Sequence, residues 1–290
     1  MNEVRNAIEV HGLCRSFKGF SINNIDLVLP MGTVMGLVGE NGAGKSTTIN
    51  LIMNALHKSS GSVTVLGTAN DDDSFTRTKQ DISVVTDTCL FPQTFTAAQV
   101  AKIMRLTYVN WRDDIFRSYL SQLGIDPRKK ISTYSKGMEM RLSLAVALSH
   151  KAKLLILDEA TSGLDPFVRN EILGIINEYT RDENNSVLIS SHIVSDLESI
   201  CDYISFIHNG SILFCEEKDR LLEDYVIIKL PADAVPDFPV KAERRGKYDK
   251  ELLIARSELP DGISPERADL EDIIIFMTQG TGTKLSYIHE

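Results

Sequence analysis

The chain has 290 residues, of which 43% are hydrophobic and 24% are charged. This composition is typical of a soluble globular protein with one large domain or two small ones, and it excludes a wholly disordered or fibrous chain. Because 40 acidic residues outnumber 31 Lys and Arg residues, the net charge is −9. A nucleic-acid partner bound through a global basic field is therefore not expected, and only a local basic patch would serve.

The sequence has no segment that would place the chain in a membrane or direct it out of the cell. Its longest stretch without Asp, Glu, Lys or Arg, residues 88–101, is polar, whereas a membrane helix needs about 20 apolar residues. The N-terminus lacks the apolar core of a signal peptide. We therefore expect a cytosolic protein. Its widely spaced cysteines are expected to be reduced thiols rather than zinc ligands: Cys14, Cys89, Cys201 and Cys215.

The N-terminal part of the chain is rich in predicted strands. Residues 1–39 contain the segments AIEV, SINNIDLVL and TVMGLVG, the last of which is uncharged and suits a buried strand. A glycine-rich turn follows, and residues 45–55 then carry apolar side chains at helical spacing. The pattern predicts a strand, a glycine loop and a helix in immediate succession.

Helices dominate from about residue 95 to residue 150, and a strand-helix-strand unit follows. The segments QVAKIMRLTYV, IFRSYLSQLG and MEMRLSLAVALSH all predict helices, so we expect an inserted helical subdomain. After it, KLLILDEA and SVLISSH predict buried strands on either side of an amphipathic helix, VRNEILGIINEYTRD. This alternation implies a parallel sheet with helices on its faces.

The composition changes again after residue 223. There the segment YVIIKLP, a Pro-rich link, the segment ELLIARS and finally LEDIIIFMTQG succeed one another. We therefore expect a main domain at residues 1–223 and a small C-terminal accessory extension at residues 224–290.

The segment GENGAGKS, residues 39–46, matches the phosphate-loop pattern G-x-x-x-x-G-K-[ST] between a predicted strand and a predicted helix. Glycines let backbone N–H groups surround phosphate oxygens, and the helix N-terminus favours their negative charge. Lys45 would bridge the phosphates, and the Ser46 hydroxyl would bind Mg²⁺. The predicted nucleotide-binding residues are Gly39, Asn41, Gly42, Ala43, Gly44, Lys45, Ser46 and Thr47.

The segment LLILDE is a predicted buried strand that ends in two carboxylates, Asp158 and Glu159. Open α/β sheets place ligand-binding groups at this end of their strands. Asp158 would hold Mg²⁺ directly or through water, and Glu159 would act as the general base for an attacking water. Alone, such a pair is most often a solvated strand end; together with the phosphate loop it predicts a catalytic pair.

Three further motifs complete a recognisable series. YSKGMEMR at residues 134–141 precedes LLILDE, SGLD at residues 162–165 follows it, and SSH ends the next predicted strand at His192. In order and spacing, these motifs resemble the nucleotide-binding subunit of an ATP-binding cassette (ABC) transporter over residues 5–220. The resemblance implies an α/β, P-loop NTPase fold with a RecA-like parallel core sheet, an N-terminal antiparallel β subdomain, a helical subdomain and a small α+β extension. It also implies an ATPase that uses ATP and Mg²⁺.

The resemblance further implies that two cassettes, in a homodimer or a heterodimer, bind ATP head to tail between them. Ser135 and Gly137 would then bind the γ-phosphate of the partner's ATP, and Gly137 opens a helix whose dipole suits that anion. His192 would contact the γ-phosphate as a catalytic switch residue. Asp165 would lie across the dimer interface, and it also suits a helix N-cap. The segment YSKGM departs from the common LSGGQ signature, since Lys136 replaces a glycine.

Two residues depart from the usual pattern of the family. Phe17 aligns with the aromatic residue, usually Tyr, that stacks on adenine, although a place in the core would suit it equally well. Asp87 occupies the position of a Gln that senses Mg²⁺ and the attacking water. We expect Asp87 to face the metal, because a carboxylate is a good ligand for Mg²⁺. If it points to solvent instead, it does not sense the nucleotide.

Separate membrane subunits are the expected partners, because the sequence holds one cassette and no predicted membrane helix. The signature and the LEDIIIFMTQG segment are similar to those of bacterial exporters of drugs, antimicrobial peptides or phenol-soluble modulins with separate permeases. The permease would hold the protein at the inner face of the cell membrane. Cys89, Leu90 and Phe91 suit either a groove that receives the permease or a place in the core. The alternative function is a soluble ABC ATPase that regulates or senses without transporting.

Overall fold

The computed structural model describes residues 6–260 and 262–279, in which three β-sheets organise the chain. The strands are β1 (Asn6–Phe17), β2 (Phe20–Pro30), β3 (Val34–Val38), β4 (Ser60–Val65), β5 (Thr68–Ala69), β6 (Ile82–Thr86), β7 (Leu154–Asp158), β8 (Ser186–Ser191), β9 (Tyr203–His208), β10 (Ser211–Glu217), β11 (Tyr225–Pro231), β12 (Ala242–Arg245), β13 (Asp249–Ala255) and β14 (Glu266–Arg267). The helices are α1 (Lys45–Ile52), α2 (Phe75–Thr78), α3 (Ala97–Thr107), α4 (Asp113–Gln122), α5 (Lys136–Ala147), α6 (Pro166–Tyr179), α7 (Val194–Ile200), α8 (Lys218–Asp224) and α9 (Leu270–Gln279). Within the described residues, no helix is both long enough and apolar enough to cross a membrane.

The central sheet has six strands in the order β10-β9-β3-β8-β7-β6. Strands β9, β3, β8, β7 and β6 run parallel, and β10 pairs antiparallel with β9 at one edge. The segments VMGLV, LLILD and SVLISS are almost uncharged, as expected of parallel strands covered on both faces. Side chains of β3 alternate between two cores, with Val34 on one side and Met35 on the other.

Helices cover one face of the central sheet, and an antiparallel sheet helps to cover the other. Ile172 of α6 and Leu197 of α7 join the core that contains Val34. The opposite core contains Ile49 of α1 together with the sheet β2-β1-β4-β5. This architecture confirms the predicted α/β class with a parallel core and an N-terminal antiparallel β region. The ends of β3, β7 and β8 consequently lie side by side.

Three helices occupy the segment that the sequence predicts to be helical, residues 95–150. Val100 of α3, Phe116 of α4 and Leu142 of α5 share a core of their own. Helix α5 also reaches the central core, because Leu144 packs there. Helix α5, which contains most of the predicted signature motif, is therefore packed against both the other two helices and the central sheet.

The third sheet is antiparallel, with the order β12-β13-β11-β14, and it begins at Tyr225. Helix α9 packs against it, since Ile273 and Phe276 share a core with Leu253. The predicted accessory extension at residues 224–290 thus contains strands and a helix, and its boundary stays a prediction. Residue 261 and residues 280–290 of that extension lie outside the described residues.

Helix α1 is shorter than its sequence pattern predicts. The apolar spacing extends to Ala55, whereas the helix ends at Ile52. Asn54 has left-handed backbone, with φ of 50°, and an α-helix cannot continue through that conformation. The Asn70 amide donates hydrogen bonds to the carbonyl groups of Leu51 and Ile52 at 2.7 and 3.0 Å. It thereby satisfies two of the free carbonyl groups at the helix end.

Candidate functional site

The glycine-rich loop joins the C-terminal end of β3 to the first turn of α1. Gly44, the N-cap residue of α1, has φ of 116°, a conformation that a residue with a Cβ rarely adopts. At Gly39, a Cβ would lie 2.4 Å from the Ile207 carbonyl oxygen. Glycine is therefore required at both positions for the chain to turn here. The first turn of α1 offers backbone N–H groups to an anion.

Lys45 is buried at the base of this loop. Its side chain is only 5% exposed, and Nζ lies 3.0 Å from Glu159 Oε1. Nζ also donates hydrogen bonds to the carbonyl oxygens of Gly39 and Glu40 at 2.7 and 3.2 Å. A buried ammonium group needs such partners to offset its loss of hydration. The cation is therefore held at the phosphate loop in a defined place.

Glu159 links the loop to His192. Its Oε2 lies 2.7 Å from His192 Nδ1, while its Oε1 contacts Lys45. Burial disfavours the charged form of Glu159, but the hydrogen bonds and charges of Lys45 and His192 favour it more strongly. The pKa of Glu159 therefore lies below its usual value. The carboxylate is thus ionised at neutral pH and can accept a proton.

Asp158 ends β7 beside Ser190 of β8, its partner in the strand pairing. Ser190 Oγ donates a hydrogen bond of 2.6 Å to Asp158 Oδ1. The Glu159 N–H group donates to the same Oγ at 3.0 Å. Sequence reasoning identified Asp158 and Glu159 but missed Ser190, whose only signal was its place in the SSH segment.

A cavity surrounds the glycine loop and is lined by Phe20, Asn41, Gly42, Gly44, Lys45, Ser46, Thr47 and Glu159. The other two predicted loop residues, Gly39 and Ala43, are buried and do not line the cavity. The fold therefore brings the predicted loop residues together with the predicted catalytic carboxylate.

An aromatic pair lies at the hairpin between β1 and β2. Phe20 lines the cavity at the loop, and the rings of Phe17 and Phe20 stack with centroids 6.4 Å apart. Phe17 is 37% exposed, and the Arg15 guanidinium lies 5.4 Å from its centroid. A role for Phe17 in stacking on adenine stays a prediction. The sequence gives no signal for Phe20, which reaches the loop only because the hairpin between β1 and β2 packs against it.

The predicted signature residues lie at the N-terminus of α5 and are not among the residues that line the loop cavity. Ser135 is the N-cap of α5, and its side chain accepts a hydrogen bond from the Met138 N–H group at 3.3 Å. A Cβ at Gly137 would lie 3.3 Å from Val168 on α6. Asp165, the N-cap of α6, accepts hydrogen bonds from two backbone N–H groups at 3.1 Å. The predicted N-cap at Asp165 is confirmed, and the signature lies next to it.

Asp87 follows β6 and is exposed. It is not among the residues that line the loop cavity. In the described part of the chain, no group of three or more His, Cys, Asp or Glu side chains could hold a metal by itself. The proposed contact of Asp87 with Mg²⁺ stays a prediction.

This arrangement suits the transfer of a phosphoryl group to water. Lys45 is a buried cation at the loop, and the α1 N-terminus adds backbone N–H donors beside it, a combination that can bind an anion such as phosphate. Glu159 is a charged carboxylate beside the same cation, and His192 contacts its second oxygen. A base, a cation and an imidazole therefore converge at one edge of the sheet.

Comparison with known proteins shows similarity to ATP-binding subunits of ABC transporters. A model of the ABC transporter family matches residues 22–162. The lantibiotic transport ATP-binding protein SrtF of Streptococcus pyogenes is 32% identical over 73% of this chain and 91% of the relative. The linearmycin resistance ATP-binding protein LnrL of Bacillus subtilis (strain 168) is 31% identical over 91% of this chain and 85% of the relative.

Solved structures agree on the fold. An ATP-binding subunit of an ABC transporter superposes with a TM-score of 0.67 at 23% identity, covering 74% of this chain and 91% of the other. The motifs, the geometry of the phosphate loop and the similarity to SrtF and LnrL all point to the same family. The chain belongs to the ATP-binding subunits of ABC transporters, and it is an ATPase that binds ATP and couples its hydrolysis to transport.

Proposed function

We propose that this chain hydrolyses ATP with Mg²⁺ as one of two cassettes and powers export through separate membrane subunits. The observation that carries the proposal is the contact of Glu159 with both Lys45 and His192 at the phosphate loop. Relatives named for transport, such as SrtF, favour a transport ATPase over a regulator that does not transport. We propose further that residues 1–223 form the cassette and residues 224–290 an accessory extension.

Mg²⁺ fits the oxygen donors of Ser46 in the loop cavity and of Asp158 at the end of β7. The ion prefers oxygen ligands, and the cavity is lined by Ser46, whose hydroxyl is such a donor. Asp158 adds a carboxylate whose Oδ1 accepts a hydrogen bond from Ser190, which leaves Oδ2 for the ion or its water. Held by Ser46 and Asp158, the ion would supply positive charge that offsets the negative charge of the phosphate groups. Asp87 is the third oxygen donor that we propose for the ion or one of its waters.

The side chains around the phosphates have separate roles in this proposal. Lys45 binds the β- and γ-phosphate oxygens, for which the carbonyl groups of Gly39 and Glu40 position its Nζ. Glu159 orients the attacking water and accepts its proton, because the lowered pKa keeps this carboxylate charged. His192 contacts the γ-phosphate and the carboxylate that lies 2.7 Å from its Nδ1.

Two copies of the cassette would complete each ATP site. Ser135 and Gly137 lie at the N-terminus of α5, and Gly137 packs close to Val168 of α6. Gly163 belongs to the SGLD segment, which ends in Asp165. A Cβ added to Gly163 would lie 3.0 Å from Lys136 Nζ, so this segment lies against the signature. The signature and the Asp165 segment therefore form one surface, which suits contact with a second cassette.

Dimerisation on ATP is expected to depend on Ser135. We expect Glu159→Gln protein with ATP and Mg²⁺ to elute from a size-exclusion column as a dimer and to return to a monomer with ADP. Adding Ser135→Arg should abolish the dimer, because a bulky cation would replace the small hydroxyl at the α5 N-terminus. Ser121→Arg, on the exposed face of α4, is the matched control and should leave the dimer intact. A dimer that survives Ser135→Arg would contradict the composite site.

An apolar groove between β6 and the helices is the surface that we propose for the permease. It is lined mainly by uncharged side chains of β6, of the segment after it, and of α3 and α5 with the residues that follow each helix: Ser83, Val84, Val85, Thr86, Thr88, Leu90, Phe91, Met104, Tyr108, Ser143, Val146, Ala147 and His150. Leu90 is 74% exposed, whereas Cys89 and Phe91 are half-buried against the helical core. A groove without charges suits an apolar segment of the membrane subunit.

Charge at Leu90 is expected to uncouple the ATPase from its permease. Leu90→Glu should abolish co-purification with the membrane subunit and transport, while ATP hydrolysis by the isolated subunit stays unchanged. Because Leu90 is exposed, stability should shift by no more than about 0.5 kcal/mol. Val235→Glu, at a side chain that is 90% exposed, is the control. Loss of folding in Leu90→Glu would instead support a core role for this segment.

The cargo that we propose belongs to the class of antimicrobial compounds and peptides. Relatives carry names for lantibiotic transport and for linearmycin resistance. These names support export as the direction of transport. The permease would hold the ATPase at the inner face of the cell membrane, and comparison of membrane and soluble fractions with and without the permease would test that location.

A further inference from the structure

Ser190 is a buried residue that lies beside Asp158 and Glu159, the two carboxylates proposed for catalysis. It belongs to β8 and is 0% exposed. Its Oγ donates to Asp158 Oδ1 at 2.6 Å and accepts from the Glu159 N–H group at 3.0 Å. The Ser190 carbonyl oxygen accepts from the same N–H group at 3.1 Å. One serine therefore contacts both neighbouring acidic residues.

The hydroxyl of Ser190 has one hydrogen to give and lone pairs to accept with. A carboxylate can only accept, so the hydrogen points to Asp158 and a lone pair faces the Glu159 N–H group. Hydrogen bonds to charged groups are shorter and stronger than neutral ones. Oδ1 of Asp158 is thus held in one direction, and Oδ2 is left for another ligand.

Glu159 needs this support because its backbone is left-handed. Its φ is 54°, a conformation that residues other than glycine adopt only when their surroundings enforce it. Both Ser190 oxygens hold its N–H group. The direction of this backbone decides where the Glu159 side chain lies relative to Lys45 and His192.

We propose that Ser190 is a positioning residue for ATP hydrolysis: its hydroxyl orients the Asp158 carboxylate toward Mg²⁺ and holds the strained Glu159 backbone. The inference rests on the roles proposed above for Asp158 and Glu159. Mutation of a group that orients a metal-binding carboxylate typically lowers metal affinity or activity by about 10- to 100-fold. Ser190 touches neither phosphate nor water in this assignment, and it acts through its two neighbours.

Ser186 provides a matched control on the same face of the same strand. It is 0% exposed, and its Oγ accepts a hydrogen bond from the Gly32 N–H group at 2.9 Å. Ser186→Ala and Ser190→Ala both remove a buried hydroxyl that accepts from the backbone. They differ because only Ser190 also contacts a carboxylate of the site. A loss of stability that both variants share can therefore be distinguished from a loss of carboxylate positioning, which only Ser190→Ala should show.

The test compares Ser190→Ala with Ser186→Ala in thermal unfolding, ATP turnover and binding of a fluorescent ATP analogue. We expect Ser190→Ala to lower kcat about 10- to 100-fold and to raise the Mg²⁺ concentration for half-maximal nucleotide binding about tenfold. Analogue binding in EDTA should be unchanged. Ser186→Ala should lower the melting temperature similarly and keep the wild-type kcat and Mg²⁺ dependence.

Two further variants keep the inference testable if Ser190→Ala does not fold. Ser190→Thr retains the hydroxyl and should keep most of kcat, whereas Ser190→Cys has nearly the shape of Ser but only a weak donor and should lose it. Equal kcat and Mg²⁺ dependence in Ser190→Cys and Ser190→Thr would overturn the inference, as would a Ser190→Ala variant that behaves like Ser186→Ala. If Glu159→Gln itself retained turnover, the roles of the carboxylates would be wrong instead.

Discussion

Replacing Glu159 with Gln is expected to reduce ATP turnover at least about 100-fold, the lower end of general-base contributions, while ATP still binds. The amide keeps the shape of the carboxylate but cannot accept a proton from water. Its Oε1 still faces Lys45 and its second terminal atom still faces His192, so the loop should keep its geometry. Single-turnover hydrolysis and equilibrium ATP binding, measured on the same preparation, separate the two effects.

Glu251→Gln is the control for that experiment. Glu251 is 22% exposed, close to the 18% of Glu159, and it is also paired with a cation, Arg244. It lies on β13 of the third sheet, outside the proposed site. The control should hydrolyse ATP at the wild-type rate. Wild-type turnover in Glu159→Gln would show that another group accepts the proton.

Replacing Lys45 with Ala is expected to weaken ATP binding about 10- to 100-fold, because a charged hydrogen bond contributes about 1.5–3 kcal/mol. The loss has a second cause in this structure. Lys45 also offsets the charge of Glu159, 3.0 Å away, so its removal leaves that carboxylate without its lysine partner where phosphate oxygens must bind. Isothermal titration with ATP and Mg²⁺ measures the affinity directly.

A double substitution separates these two causes. If repulsion by Glu159 contributes, Lys45→Ala combined with Glu159→Gln should bind ATP more tightly than Lys45→Ala alone. Lys58→Ala is the control, since Lys58 is a 15% exposed lysine paired with Asp71, outside the loop cavity. Unchanged affinity in a folded Lys45→Ala variant would refute the assignment of Lys45 to the phosphates.

Much of the fold could be predicted because its signals are local. Strands β3, β7 and β8 have almost continuous apolar sequences. Helix α6 begins at Pro166, directly after the predicted cap, Asp165. The class of the protein followed from motifs in a fixed order. Where a local conformation broke the pattern, as at Asn54, the predicted end of α1 was wrong.

The site was predictable only in part, because several of its contacts join distant segments. Sequence reasoning named Lys45, Glu159 and His192, but nothing local indicates that one carboxylate contacts both other side chains. The role of Phe17 stays a prediction. Phe20 was missed, because only the hairpin between β1 and β2 brings its ring to the loop. Ser190 was missed for the same reason.

The phosphate loop, the strand that ends in two carboxylates, and the family to which both belong are all readable from the order of residues along the chain. Glycine requirements and apolar periodicity act over a few residues, so they are readable without a structure. The position of β8 between β3 and β7, and with it the pairing of Asp158 with Ser190, emerges only when the chain is folded. Strand order depends on packing both faces of the sheet at once, and that packing places Lys45 and His192 in contact with the two oxygens of Glu159.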